Sequence, residues 1–224
     1  MPPFPASLYR LYAHWSALCN RVWPWVRADG MQLRVAPSVY KPIQNEARVA
    51  ALVPDGLRVL DVGCGSGVMG LAVAGQSRRV LAIDVNPAAV RCTRENAKRL
   101  GHANIEVREA DVRAMVGDAS FGAILCSPPF GETDVPGAQQ NWASAAGVLE
   151  ALFAGAPRWL APDGRLIVHH LASARARLER LGAARGLALR AVVPNHRKSA
   201  RLHALAWLYL QMGLRTAFYV FERG

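Results

Sequence analysis

Residues 59 to 67 read Val-Leu-Asp-Val-Gly-Cys-Gly-Ser-Gly, an apolar stretch that reaches Asp61 and then breaks into glycines at 63, 65 and 67. Glycine has no Cβ and takes positive φ readily, so such a segment turns tightly and offers its peptide groups to a ligand. A dinucleotide site sets a pyrophosphate against a turn of this kind and places an acid about 20 residues on, a spacing that Asp84 meets. Asp61 points elsewhere: a carboxylate two residues before the first glycine repels a pyrophosphate and attracts a cation. Farther along, Ser127-Pro128-Pro129-Phe130 combines a hydroxyl, a carbonyl aimed by prolines of fixed φ, and a ring able to stack on a flat group.

Alternating elements position these residues. Leu57 to Val62 is β-rich and short enough for a buried strand, and Val68 to Ala74 is apolar at helical spacing, so the glycines fall at a strand-to-helix junction. Val80 to Asp84 predicts a second strand ending in an acid, and Asn86-Pro87 starts a helix with proline where no N–H is needed. Ile105 to Asp111 predicts a third strand and Ala123 to Cys126 a fourth. This alternation implies a mostly parallel sheet with helices on both faces.

Taken in order, these segments resemble the class I S-adenosylmethionine-dependent methyltransferases, and in particular the HemK-like and small-domain amine methyltransferases, here with a Ser-Pro-Pro-Phe motif. The resemblance spans about Val35 to Val168. It implies an α/β fold, a Rossmann-like doubly wound seven-stranded mostly parallel sheet, with Trp142 to Leu160 as a helix, Ala161-Pro162-Asp163-Gly164 as a turn and Arg165 to Val168 as the fifth strand. Leu187 to Val193 and Thr216 to Phe221 then supply the last two strands. The cofactor-binding set it implies is Asp61, Gly63, Gly65 and Gly67 for the methionine part, Asp84 and Val85 for the ribose, Asp111 and Val112 for the adenine, and Ser127 beside them. Ser127, Pro128, Pro129 and Phe130 become the catalytic set. Upstream, Val39-Tyr40-Lys41-Pro42-Ile43-Gln44-Asn45-Glu46 resembles the Tyr-x-Pro-x-x-Asp entry of HemK-type enzymes, with Gln44 and Asn45 where acids are usual.

The chemistry suits a planar nitrogen. An amide or exocyclic amine is a poor nucleophile because its lone pair is delocalised. Two acceptors, the Ser127 hydroxyl and a carbonyl near Pro128, can hold its two N–H bonds so that the lone pair turns toward an activated methyl group. Alignment alone contributes on the order of 7–11 kcal/mol, and Phe130 stacking on a base roughly 1–3 kcal/mol. Three acceptors stay open: a protein glutamine, an RNA base and a small metabolite. Two other classes are an enzyme that cyclises its substrate and releases methylthioadenosine, and a non-catalytic module that binds the cofactor within a complex.

At 224 residues and 52% apolar, the chain is long enough for one substantial core. It divides into an N-terminal helical extension and entry segment, 1–45, and a methyltransferase domain, 46–224, with a helical insertion at about 194–213. The N-terminal helix, Ala6 to about Val22, carries Leu8, Leu11, Tyr12, Trp15, Leu18 and Cys19 at helical spacings, as a face that docks on the core or walls the acceptor pocket. The insertion has a basic start, His196-Arg197-Lys198 and Arg201, able to bind an anionic acceptor, and an apolar helix, Leu202 to Met212, whose Leu205, Leu208 and Tyr209 suit a homodimer contact, the reading its apolar residues on more than one face favour. Cys19, Cys64, Cys92 and Cys126 form no metal or disulfide spacing, so neither metal nor disulfide is expected. His169-His170 ends the fifth strand, as a substrate contact or as a structural or solvated pair.

The net charge of +11 is uneven: residues 46–163 hold 11 basic and 13 acidic side chains, whereas residues 164–221 hold 10 basic and only Glu179. Such a field attracts nucleic acid and other anions. Yet 24 of the 27 basic residues are arginine, as a genome rich in Arg codons would give without any anionic partner. No apolar run reaches the ~20 residues of a membrane span, and no basic-then-apolar leader opens the chain, so a cytoplasmic protein without membrane contact is expected.

Overall fold

The structure, a computed structural model, describes residues 6–131, 142, 145–195 and 215–224, with no description of the side chains of residues 6–9 and Tyr12. The elements are α1 (Ala6–Val22), β1 (Trp25–Ala28), β2 (Met31–Arg34), β3 (Arg58–Val62), α2 (Val68–Ala74), β4 (Arg79–Asp84), α3 (Pro87–Arg99), β5 (Ile105–Glu109), β6 (Phe121–Cys126), α4 (Val148–Trp159), β7 (Leu160–Leu171), α5 (Arg175–Ala183), β8 (Leu187–Asn195) and β9 (Thr216–Arg223). Seven strands form one sheet in the order β5-β4-β3-β6-β7-β9-β8. Five run parallel, and β9 pairs antiparallel with both β7 and β8.

Strand period decides the two layers. On β3, Val59 faces a core completed by Val68, Met69 and Leu71 of α2 and Ala89 and Cys92 of α3. Its neighbours Leu60 and Val62 face the opposite core, completed by Leu152, Phe153 and Trp159 of α4 and Leu178 of α5. Asp61 points to the same side as Val59, beneath α2. Strand order reverses between β3 and β6, and in an open α/β sheet a ligand binds at the carboxyl ends beside that reversal. Val62 pairs with Cys126 there, so the glycine loop and the Ser-Pro-Pro-Phe segment leave the sheet side by side.

Several expectations are corrected. The fourth helix starts at Val148, not near Trp142, because Gly147 at φ 72° turns the chain into it. Ala161 to Gly164 is no free turn but an excursion inside β7: Phe121 faces Leu160 and Ala123 faces Arg165, leaving four residues opposite one. Strand β5 ends at Glu109, so Asp111 lies two residues past the strand and caps a 3₁₀ turn, Val112–Ala114. Helix α1 docks by the other side from the one its apolar spacing predicted. Leu11, Trp15 and Leu18 are 66%, 49% and 51% exposed, whereas Ser16 and Asn20 are buried. Asn20 Nδ2 donates to the carbonyls of Val39 and Ala36 at 2.9 and 3.2 Å, and these polar bonds fix the helix. The β1–β2 hairpin was not anticipated, although Asp29-Gly30, both at positive φ, is the two-residue turn that suits it. The expected segment from His196 to Met212, with its dimer contacts, lies outside the described residues.

Candidate active site

Three backbone contacts shape the glycine loop. Gly63 and Cys64 donate to the Ile83 carbonyl at 2.9 and 3.0 Å, and Gly67 to Cys64 O at 2.7 Å. Gly63, Gly65 and Gly67 all take positive φ, at 71°, 57° and 86°. Gly63 has open space where a Cβ would stand, whereas a Cβ on Gly67 would meet Leu71 at 2.7 Å, so the first glycine leaves room and the third allows close packing. From below, α3 grips the loop: Thr93 Oγ1 donates to Gly65 O at 3.0 Å and Asn96 Nδ2 to Ser66 O at 2.9 Å. Neither Thr93 nor Asn96 stood out in the sequence, because a polar residue on a helix reads as surface until its partner is known.

Asp61 and Asp84 tie the loop together from the strand ends. Asp61, 2% exposed, accepts the Gly70 N–H at 2.9 Å, and a Cβ at position 70 would lie 2.7 Å from its Oδ2. Burial pushes its pKa up to about 7, the Gly70 bond pulls the other way, and the charge of Asp84 adds to the rise. Asp84 accepts from Gly65 N–H at 2.9 Å and Asn86 N–H at 2.8 Å, one on each oxygen, and burial raises its pKa as well. Val85, 49% exposed, stands open beside it.

Asp111 differs. Arg113 holds its carboxylate at 2.7 Å, which together with the Arg113 N–H lowers its pKa. The pair is exposed, 45% and 29%, so it is worth only about 0–1 kcal/mol and yields readily to another donor. Val112 is buried toward α4.

Beside the loop, Ser127 and Phe130 are half-buried and Pro128 is buried. Phe130 meets His170 edge-on, centroids 5.2 Å apart. Both histidines that end the fifth strand are buried, and burial lowers His169 to about 3 and His170 to about 4, so both are neutral. His169 reaches Ser127 Oγ with Nδ1 at 3.1 Å and Asn195 with Nε2 at 3.1 Å. Asn195 carries no motif of its own and gains its role only through a partner 26 residues away. From the entry segment, Glu46 is buried and takes the Gln44 N–H at 3.0 Å, with the Tyr40 hydroxyl also on it. Tyr40 packs on Trp142 at 5.3 Å. Cys64 and Cys126 are buried with thiol pKa values raised by burial, which suits packing and not nucleophilic attack.

A sheet that reverses between β3 and β6, with acids at the ends of two adjacent strands around a glycine loop, defines a Rossmann-like fold of the nucleotide-binding type. Residues 48–185 match the family described as Methyltransferase small domain, and the chain belongs to that family. It is 32% identical over 155 residues to the ribosomal RNA small subunit methyltransferase C of Chromohalobacter salexigens, covering 65% of this chain and 44% of that one. It is 32% identical over 108 residues to a Methanocaldococcus jannaschii protein named as a protein N5-glutamine methyltransferase, covering 47% and 54%. The chain thus spans about half the length of these curated relatives. The ribosomal protein L11 methylase of Lactobacillus delbrueckii subsp. bulgaricus shares the fold, with TM-score 0.61, 19% identity and coverage of 85% and 84%.

S-adenosylmethionine, the methyl donor of this family, suits the residues present. Its positive end matches the buried Asp61 carboxylate, its approach matches the open space over Gly63, and Asp84 keeps lone pairs for hydroxyls after taking two N–H bonds.

Proposed function

We propose that the chain methylates a planar nitrogen bearing N–H bonds, with an RNA base as the favoured acceptor. When bound, S-adenosylmethionine supplies an electrophilic methyl group on a cationic sulfur. Asp61 and the loop of Gly63, Gly65 and Gly67 would hold the methionine part, Asp84 with Val85 the ribose, and Asp111 the adenine amine. The observation that carries the reading is the adjacency of two loops: Val62 pairs with Cys126, so the acceptor segment Ser127 to Phe130 starts one strand from the glycine loop. Ser127 and the carbonyl near Pro128 would take the acceptor's N–H bonds, and Phe130 its flat face.

RNA is favoured by charge and by a groove. Arg21, Arg34 and Arg91, with Glu95 as the one acid, line a cleft of about 330 Å³ between α1 and α3. Glu95 engages Arg34 at 3.2 Å, and the guanidinium groups of Arg21 and Arg91 suit phosphates. The test is transfer of labelled methyl from S-adenosylmethionine into fractionated RNA, protein and small molecules. Label entering RNA at a base nitrogen supports the reading, and label in protein alone rejects the RNA part. Ser127→Ala is expected to bind the cofactor with unchanged affinity and to lower kcat about 10²-fold or more, as loss of an aligning contact does. Unchanged kcat would remove Ser127 from the chemistry.

A further inference from the structure

Side chains from three separate elements stand in file at the acceptor end of the sheet. His169 of β7 places Nδ1 3.1 Å from Ser127 Oγ. On its other side Nε2 lies 3.1 Å from Nδ2 of Asn195, the last residue of β8. That same Nδ2 donates to the backbone carbonyl of Gln44.

This geometry fixes the direction of every bond. A carbonyl only accepts, so the Asn195 atom facing Gln44 is the amide nitrogen and not its oxygen. The second N–H of that nitrogen meets His169 Nε2, which must therefore be the unprotonated ring atom. A neutral imidazole carries one proton, and burial keeps His169 neutral, with a pKa of about 3. The proton is therefore on Nδ1, and His169 donates it to Ser127 Oγ.

We propose that His169 and Asn195 are positioning residues that hold Ser127 as a fixed hydrogen-bond acceptor toward an N–H of the methyl acceptor. The proposal rests on the role given to Ser127 above. One Ser127 lone pair is occupied by His169, and the other is left for the substrate. Because Nδ1 already bears a proton, it does not take the serine proton, so this Ser-His-Asn file makes an acceptor and no nucleophile. In the family pattern that the motif resembles, an asparagine carbonyl stands at this place. The donor file gives a serine the same polarity.

The first test is the tautomer of His169 in the free protein, read from long-range ¹⁵N–¹H correlation spectra between about pH 5 and 8. The Nδ1–H tautomer is expected, and the Nε2–H tautomer overturns the proposal. No acceptor is needed for this measurement, so it stands apart from success or failure of methyl transfer. The second test is kinetic. His169→Leu is expected to lower kcat about tenfold, the scale of one lost hydrogen bond, with cofactor affinity unchanged. His169→Gln, whose amide N–H can still donate to Ser127, is expected to recover part of that loss. In a Ser127→Ala background neither substitution should matter further. Equal impairment by Leu and Gln that persists without the Ser127 hydroxyl would show a merely structural role and overturn the proposal.

Discussion

The carboxylates of buried Asp61 and half-buried Asp84 give the site its character, because each is stabilised by backbone N–H groups and destabilised by desolvation. Asp61 ionises at 3.8 in the unfolded chain and at about 7 when folded. A raised folded value means that its contribution to stability is fully present below about pH 4 and lost as pH rises through about 7. Asp61→Asn keeps an acceptor for Gly70 N–H and removes the charge. Its melting temperature relative to the unsubstituted protein is therefore expected to rise from pH 4 to pH 7 and then level, whereas parallel curves would contradict the assignment. Affinity for the cationic cofactor should move oppositely, tightening as Asp61 ionises. Asp84→Ala removes the acceptor of both the Gly65 and Asn86 N–H groups, so calorimetry should detect no cofactor binding. Normal binding would show that β4 does not end at the ribose.

Among the elements, the glycine loop is held as much by α2 and α3 as by its own residues. Gly70 lies inside α2 with its Cβ position 2.7 Å from Asp61, whereas Gly75, just past the helix at φ −63°, has nothing within 4 Å. Gly70→Ala should therefore lower stability by roughly 1–3 kcal/mol, as overpacking does, and weaken the cofactor, while Gly75→Ala should leave both near normal. Equal effects in thermal melts would break the argument. Strands β3, β4 and β6 were legible as short apolar runs, β3 and β4 closing on the glycine loop and on Asp84, whereas the charged β5 ends two residues before Asp111. The 3.6-residue period of α1 was legible too, but not which side of it docks, because Asn20 bonds to carbonyls of a loop that hydropathy does not reveal. Likewise Asp61, Asp84 and Ser127 stand out as motif residues and His169 as one of a strand-end pair, while Thr93, Asn96 and Asn195 serve the site through partners 26 or more residues away.

For the whole molecule, the excess of basic residues sits outside the nearly neutral segment that forms the nucleotide loop. No helix among the described residues is long and apolar enough to cross a membrane. If the arginine cleft meets RNA, affinity should fall linearly with salt on logarithmic axes, with a slope near −0.7 per phosphate contacted on a single strand. Arg21→Ala with Arg91→Ala should weaken binding and flatten that slope by about one to two units, as seen by fluorescence anisotropy over a salt series. An unchanged slope would place the contact elsewhere.

Methyl transfer itself is tested most directly by following the cofactor. The protein is incubated with S-adenosylmethionine, alone and with fractionated cell extract, and the products are resolved by liquid chromatography and mass spectrometry. S-adenosylhomocysteine is expected only with the RNA fraction, in amounts equal to the methyl groups gained, and strongly reduced with Ser127→Ala. Methylthioadenosine accumulating with no acceptor present would contradict methyl transfer and replace it with attack of the cofactor's own amine on its side chain.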